Sequence, residues 1–406
     1  MAKTKTGPVP ADVIERYGLT PVVNASGTMT SLGASLVVPD AIATGAEIQE
    51  HFVRIDELQA KASGVIARLT GAEAGCVTAC SGAAMTVSAA ACMTGSDLAR
   101  IEQLPDTEGM KNRVVMQSGH MISYGAPVEQ AIRASGAEVV PLGSAARAEL
   151  YHLESSLDEM TAAALFVVSH HVVQEGQIDL KAFIETCHEK SVPVIVDMAS
   201  EYDLRGPIAL GADLVIYSSH KFLGGPTGGI IAGRKDLVRA CYLQNRGLGR
   251  LMKVGKEGIL GTMAALEAWE RRDHEGIRKR ELATVDHWMA SLAGLAGVGL
   301  SIEPDWTGNP IDRVKVTVDP AEAKIFAWEL VDRLAALKPA VIVRDDLVEH
   351  GCFFLDPCNL KPGEEEIVSD AIRAVLEQAQ AEPIGRLYGK EERRRRAADS
   401  ALRWPD

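Results

Sequence analysis

Ala212-Asp213-Leu214-Val215-Ile216, followed by Tyr217-Ser218-Ser219-His220-Lys221-Phe222-Leu223-Gly224-Gly225-Pro226, decides how this chain is read. A short, nearly continuous apolar run predicts a strand buried on both faces, as in a parallel sheet. Such a strand delivers the next residues to its carboxyl end, where open α/β sheets place their ligands. Here two hydroxyls, a histidine and a lysine arrive first, then a Gly-Gly-Pro-Thr-Gly-Gly loop. A lysine beside a packed strand is partly desolvated, which disfavours its charged form and frees the amine for Schiff-base chemistry. Most lysines are solvated turn residues; Lys221 is set apart by the strand before it.

A second apolar run, Val192-Pro193-Val194-Ile195-Val196-Asp197, also ends in one ionisable group, 24 positions before Lys221. Upstream lie more short runs with helical stretches between them. They are Val77-Thr78-Ala79, Arg113 to Gln117, Ala137 to Pro141 and Ala164 to Ser169, with helices over Pro127 to Ser135 and Leu180 to Lys190. This alternation predicts a mostly parallel, doubly wound sheet. Ile48 to Leu69 carries helical spacing and closes at Thr70-Gly71, a C-cap signature, while Ala83 to Met93 reads as a core helix.

Three more stretches carry chemistry. Cys80-Ser81-Gly82-Ala83 opens a helix whose free backbone N–H groups suit a phosphate. Ser118-Gly119-His120 comes directly after a strand, which puts His120 at the sheet's ligand end. Asn24-Ala25-Ser26-Gly27, inside a run of small and hydroxylated residues from Val22 to Gly33, is expected as an ordered loop and not as a core element.

The order strand-Asp197, strand-Lys221, with the Ser218-Ser219-His220-Lys221 tetrad, resembles the fold-type-I pyridoxal-phosphate enzymes. More narrowly it resembles the group that contains bacterial selenocysteine synthase (seryl-tRNA selenium transferase) and D-glucosaminate-6-phosphate ammonia-lyase, from about Val22 to about Leu376. The resemblance implies pyridoxal 5'-phosphate on Lys221, with Asp197 pairing the pyridine nitrogen and keeping it protonated. It implies a phosphate loop at Ser81, Gly82 and Ala83, a ring stacked on the cofactor at His120, and cofactor contacts from Ser218 and His220. Thr227 would reach the cofactor of a partner across a homodimer, or higher homo-oligomer, with shared active sites. Asn24 would enter the site, Gln174 would touch cofactor edge or substrate, and Arg344 would hold a substrate carboxylate through its guanidinium fork.

Asn245 to Glu257 places four cations within eleven residues of an acidic protein. Its glycines break helical periodicity, so Arg250 and Lys256 are candidates for an anionic substrate group. His170-His171 is not read as a metal site, because adjacent residues on extended chain face opposite ways.

The chain divides into an N-terminal arm and active-site segment (1–45), a large cofactor domain (46–270), a small α+β domain (271–380) and a charged tail (381–406). Trp269 to Glu275 marks the hinge. Arg344 is placed at the end of the small domain's central strand, and Lys390 to Arg396 reads as a charge block, disordered or a solvated helix.

With 406 residues, 47% hydrophobic and 24% charged, the chain is an ordinary globular composition. A net charge of −13 argues against a nucleic-acid surface. Neither a signal peptide nor a membrane span is expected. Seven scattered cysteines without a CxxC pair predict neither disulfides nor zinc, and place the protein in the cytoplasm.

Resemblance to the lyase group implies α,β-elimination on a β-hydroxy or β-substituted, anionic amino acid, giving a keto acid and ammonia. The residues themselves support only a carbanion at Cα, which also serves an aldolase, racemase or aminotransferase. A transferase acting on aminoacyl-tRNA is the other reading; the short arm before Asn24 and the acidic balance are expected to disfavour it.

Overall fold

A computed structural model describes residues 12–381 and 389–404. The chain forms two compact units, one of residues 33–273 with 305–309, the other of the described residues up to 32, 274–304 and those from 310 on. The first strand, β1 (Val22–Ala25), belongs to the second unit.

Seven strands build the larger unit: β2 (Ala74–Thr78), β3 (Arg113–Gln117), β4 (Glu138–Leu142), β5 (Thr161–Val167), β6 (Val194–Asp197), β7 (Leu214–Ser218) and β8 (Gly229–Gly233). Their order is β2-β8-β7-β6-β5-β3-β4. Neighbours run parallel from β7 through β4, while β8 is antiparallel to both β2 and β7. The apolar runs become strands because both faces are covered. In β6 and β7, Val194, Val196, Val215 and Tyr217 pack into one core with Ile66, Phe183 and Ile259. Alternate residues Ile195, Leu214 and Ile216 pack into the other, against Ala84, Ile132 and Cys241. Each such fully buried side chain contributes roughly 1.5–3 kcal/mol, so two-sided burial dominates the central strands.

The helical pattern read from Ile48 to Leu69 is two helices, Pro39–Gln49 and Ile55–Thr70. Lys256 Nζ takes the carbonyls of Gln49, at 3.1 Å, and of His51, so the first helix ends on an external donor instead of continuing. The second ends at Gly71 with φ of 78°, as its glycine predicts. The small-residue helix Ser81–Thr94 is almost wholly buried.

In the smaller unit β1 pairs in parallel with β11 (Ala340–Val343), and Val23 and Ala25 are core residues. The expectation that Val22 to Gly33 holds no core element is therefore corrected. A four-residue strand becomes stable once a distant partner supplies its backbone bonds, which local sequence does not reveal. The other sheet has β10 (Asp312–Val318) between β9 (Val298–Pro304) and β12 (Cys352–Leu355), all antiparallel. Arg344 thus comes after one strand of a two-stranded pair and not a central strand, and bridges to Phe354.

The charge block forms helix Lys390–Arg403. Arg393 pairs with Asp345 at 2.7 Å, and Lys390 and Arg394 with Glu349 at 3.0 and 2.6 Å. Those two cations hold the Glu349 carboxyl at about 2, well below the usual range.

Candidate active site

Parallel register fixes the two central residues. Asp197, the last residue of β6, lies opposite Ile216, and β7 runs two residues further before the turn that carries Lys221. Both therefore emerge at the carboxyl end of adjacent strands. Asp197 is buried, and among the described residues its carboxylate takes one hydrogen bond, from Ala199 N–H at 3.2 Å. Burial raises its pKa to about 6, while that bond and the Lys221 charge pull it down. An almost unpaired buried carboxylate of this kind fits a protonated ring nitrogen.

The turn after β7 is tied down at short range. Ser219 N–H donates to Gly228 O (2.8 Å) and Gly225 N–H to Ser219 O (2.7 Å), while Thr262 Oγ1 donates to Ser219 Oγ at 3.0 Å. A Cβ on Gly225 would fall 2.1 Å from Ser219 Oγ, so only glycine closes this loop. Ser218 Oγ and His220 Nδ1 are 3.0 Å apart. Burial and then the Lys221 charge lower the His220 pKa, which keeps the imidazole neutral beside the lysine.

At the start of the buried helix, Cys80 is the N-cap, its Sγ accepting from Ala83 N–H at 3.4 Å. The amides of Ser81 and Gly82 have no carbonyl a turn earlier in the helix to receive them. Gly229 presses on this loop: a Cβ there would lie 2.3 Å from Cys80 O. Tyr124 closes the other side, its Oη 3.2 Å from where a Cβ of Gly82 would stand. Burial raises the phenol's pKa first, then the charges of Asp197 and Cys80. Gly82, Tyr124, Asp197 and Lys221 thus share one electrostatic neighbourhood. Its groups, the free N–H donors of one helix N-terminus, one buried carboxylate acceptor and one lysine, are the set a phosphorylated pyridine aldehyde requires.

Other expected residues have partners of their own. His120 is 2% exposed, with Nδ1 accepting from Val167 N–H at 3.2 Å and its ring edge-on to Phe166. Burial lowers its pKa to about 4. Its other nitrogen, Nε2, lies 3.3 Å from Gln117 Nε2, so both ring nitrogens are engaged within the protein. Gln174 is exposed and braces its own turn, donating to Ser169 O (3.0 Å) and Val172 O (2.8 Å). His170 and His171 sit in that turn with ring centroids 3.8 Å apart, not on extended chain.

Thr227 and Arg250 are exposed. Lys256, besides its two carbonyls, lies over the Phe52 ring at 5.8 Å, so its ammonium serves the helix end.

Within the smaller unit, Asn24 Oδ1 accepts from Ser26 N–H (3.0 Å) and Ser26 Oγ (2.7 Å), and Nδ2 donates to Gly27 O (3.0 Å). It shapes the turn in which Gly27, at φ 86°, passes Asp356. Arg344 is buried and paired with Asp346 at 2.8 Å.

Sequence reasoning missed Tyr124 and Glu201. Each stands four residues past a singled-out strand-end residue, His120 or Asp197, and that shared exit from a strand end is the available signal.

A family model described as L-seryl-tRNA selenium transferase matches residues 22–325. The chain is 38% identical to the D-glucosaminate-6-phosphate ammonia lyase of Salmonella typhimurium (strain 14028s / SGSC 2262), over 91% of this chain and 99% of that one. It is 36% identical to a 5'-C-glycyluridine monooxygenase-decarboxylase of Streptomyces sp, over 91% and 94%. A solved structure of D-glucosaminate-6-phosphate ammonia-lyase superposes with a TM-score of 0.82 at 37% identity, over 92% of this chain and all of the other.

Proposed function

Because the chain belongs to the L-seryl-tRNA selenium transferase family and has the fold of fold-type-I pyridoxal-phosphate enzymes, we propose that it is a pyridoxal 5'-phosphate-dependent ammonia-lyase-type enzyme. Its reaction is α,β-elimination on a β-hydroxy or β-substituted, anionic amino acid, releasing a keto acid and ammonia. One observation carries this reading: Asp197 ends β6 and Lys221 lies in the turn just after its parallel neighbour β7, within electrostatic reach of each other. The relative at 38% identity, a D-glucosaminate-6-phosphate ammonia lyase, supports the choice of elimination.

When bound, the cofactor supplies an electron sink for the pair left at Cα. Lys221 anchors it, and its amine then takes the α-proton as general base. Asp197 holds a proton at the ring nitrogen by its charge. The amides of Ser81 and Gly82 and the Ser81 hydroxyl bind the phosphate, with Ala83 N–H already engaged by Cys80 and Thr227 offered by a neighbouring copy. Ser218 and His220 fix the turn that aims Lys221. We assign the aromatic ring of the site to Tyr124, with the buried His120 backing the end of β3. Arg250 is the substrate-anion candidate of the cationic stretch, and Asn24, Gln174, Lys256 and Arg344 serve through the turns, caps and ion pairs they hold.

Exposed Leu36, Phe52 and Leu251 on the larger unit support a homodimer or higher homo-oligomer. The cysteines described as free support a cytoplasmic, reducing setting. Among the described residues no helix is long and apolar enough to cross a membrane.

The test is a spectrum of the purified protein followed by a screen of anionic β-hydroxy amino acids of both configurations. Cofactor absorbance that needs Lys221, and keto-acid and ammonia release, are expected; absorbance that persists unchanged in Lys221→Ala would overturn the assignment. A second reading, Cα chemistry with decarboxylation, is favoured by the 36% identity to a monooxygenase-decarboxylase. Oxygen uptake with carbon dioxide release, and no ammonia, would select it. Binding of tRNA that weakens steeply with salt would select the transferase reading.

A further inference from the structure

Asp305-Trp306-Thr307-Gly308-Asn309 packs as part of the larger unit, against the chain leaving β6. Asn309 holds that chain by its backbone, Oδ1 accepting from Tyr202 N–H at 2.8 Å and Nδ2 donating to Ser200 O at 3.4 Å. Between these two bonds lies Glu201, a carboxylic side chain only 8% exposed. Thr307 Oγ1 stands 2.6 Å from Glu201 Oε2, 2.6 Å from Asp305 Oδ1 and 3.1 Å from Asn309 Nδ2.

A hydroxyl has one proton to give and two lone pairs to receive with. Two carboxylate oxygens at 2.6 Å cannot both be served by one proton, so one of the two acids supplies a proton of its own. Asp305 Oδ1 also accepts from the N–H groups of Thr307 (3.0 Å) and Asn309 (3.4 Å), the pattern of an anion. Glu201 faces Thr307 and Asn309 and the carboxylates of Asp305 and Asp197. Burial is the largest influence and, with those two charges, raises its pKa to about 8.

We infer that Glu201 is a positioning residue of the active site, a neutral acid beside Asp197 that exchanges its proton with solvent through a Glu201–Thr307–Asp305 hydrogen-bond chain. In the resting arrangement Glu201 donates to Thr307 and Thr307 to Asp305, leaving the Asn309 amide to fill the second lone pair of the hydroxyl. When Glu201 has lost its proton, one from solvent lands on Asp305. Asp305 passes it to Thr307 Oγ1 as Thr307 gives its own to Glu201, so one proton moves inward and the pair returns to a single negative charge, on Asp305. While Glu201 is neutral, Asp197 carries the negative charge of this corner. Ionised, Glu201 adds a second one, which repels an anionic substrate; that last step rests on the lyase reading, and the proton chain does not.

Difference infrared spectroscopy on the full-length, cofactor-free protein between about pH 6 and pH 10 tests the chain directly. A protonated-carboxyl C=O band that disappears near pH 8 is expected, absent from Glu201→Gln and moved to higher pH in Thr307→Val, which removes the hydroxyl that favours the ionised acid. In turnover, KM for an anionic substrate should rise roughly fivefold from neutral to alkaline pH, as one added like charge implies, and the rise should vanish in Glu201→Gln. A band that survives in Glu201→Gln, or no titrating band at all, overturns the inference. If Glu201→Gln does not fold, an unshifted band in Thr307→Val overturns it equally. A correct infrared result with no keto-acid release would instead reject the lyase reading alone.

Discussion

Gly229 and Cys80 touch through their backbones: a Cβ at Gly229 would lie 2.3 Å from the Cys80 carbonyl oxygen and 2.5 Å from Thr78 Oγ1. This contact seats the antiparallel strand β8 against the loop that begins helix Ser81–Thr94. Gly229→Ala must push that loop away. The expected cost is roughly 1–3 kcal/mol of stability from overpacking, together with weaker cofactor binding. Thermal unfolding and a cofactor titration on the same variant check both.

Lys221→Ala should remove the cofactor's lysine-dependent absorbance. Turnover should drop by about 10²–10⁴-fold even if added cofactor still binds, because the base is gone. Restoration of part of the rate by small primary amines in solution would confirm that the missing group is an amine.

Asp197 offers a test in which stability and activity move oppositely. Its folded pKa of about 6 stands above the ordinary aspartate value of 3.8, so the stability it contributes is complete below about 3.8 and is lost as pH rises through about 6. At neutral pH the cofactor-free protein therefore holds a buried anion with one hydrogen bond. Asp197→Asn should stabilise the cofactor-free protein at pH 7 by about 1–3 kcal/mol, an effect that fades at pH 4. The same variant should lose exchange of the substrate α-hydrogen with deuterated solvent, since a neutral amide cannot hold the ring nitrogen's proton.

Asp213 is a structural anchor of the same two strands. Its carboxylate accepts from Val194 N–H (2.8 Å) at the start of β6, and meets His188 Nε2 (2.8 Å) and Arg234 (2.9 Å). Asp213→Ala should cost about 2–3 kcal/mol, the range for bonds to a charged group, measured by urea unfolding. Activity per folded molecule should fall far less than in Lys221→Ala, because Asp213 lies at the opposite end of the strands.

Helix Ser81–Thr94 and strands β3, β6 and β7 were legible as residues because each is a short run whose own composition demands burial. Their boundaries moved by a few positions, as when Ala212–Ile216 became Leu214–Ser218. Strand β1 was not legible: its four residues, two valines, an asparagine and an alanine, open a run of small and hydroxylated residues and pair with Ala340–Val343, more than three hundred positions away. Strand β9 was not read either: Val298, Leu300 and Ile302 alternate with small or polar residues, but the strand is mostly exposed and no fully buried face singles it out. The surroundings of His120 were not legible for a related reason, since chain order does not show that its Nδ1 receives the backbone amide of Val167.

By itself the sequence determined the alternation of strands and helices and the two residues, Asp197 and Lys221, that emerge at one end of the sheet, because both stem from local hydrophobicity and chain order. Only the tertiary structure decided which polar groups share a proton or a pocket. Thr307 reaches Glu201 from 106 positions away, and Tyr124 meets Gly82 across a separate loop. Hydrogen bonds and burial depend on distances that chain order does not encode, so the charge state of Glu201 and the surroundings of Asp197 exist only in the folded protein.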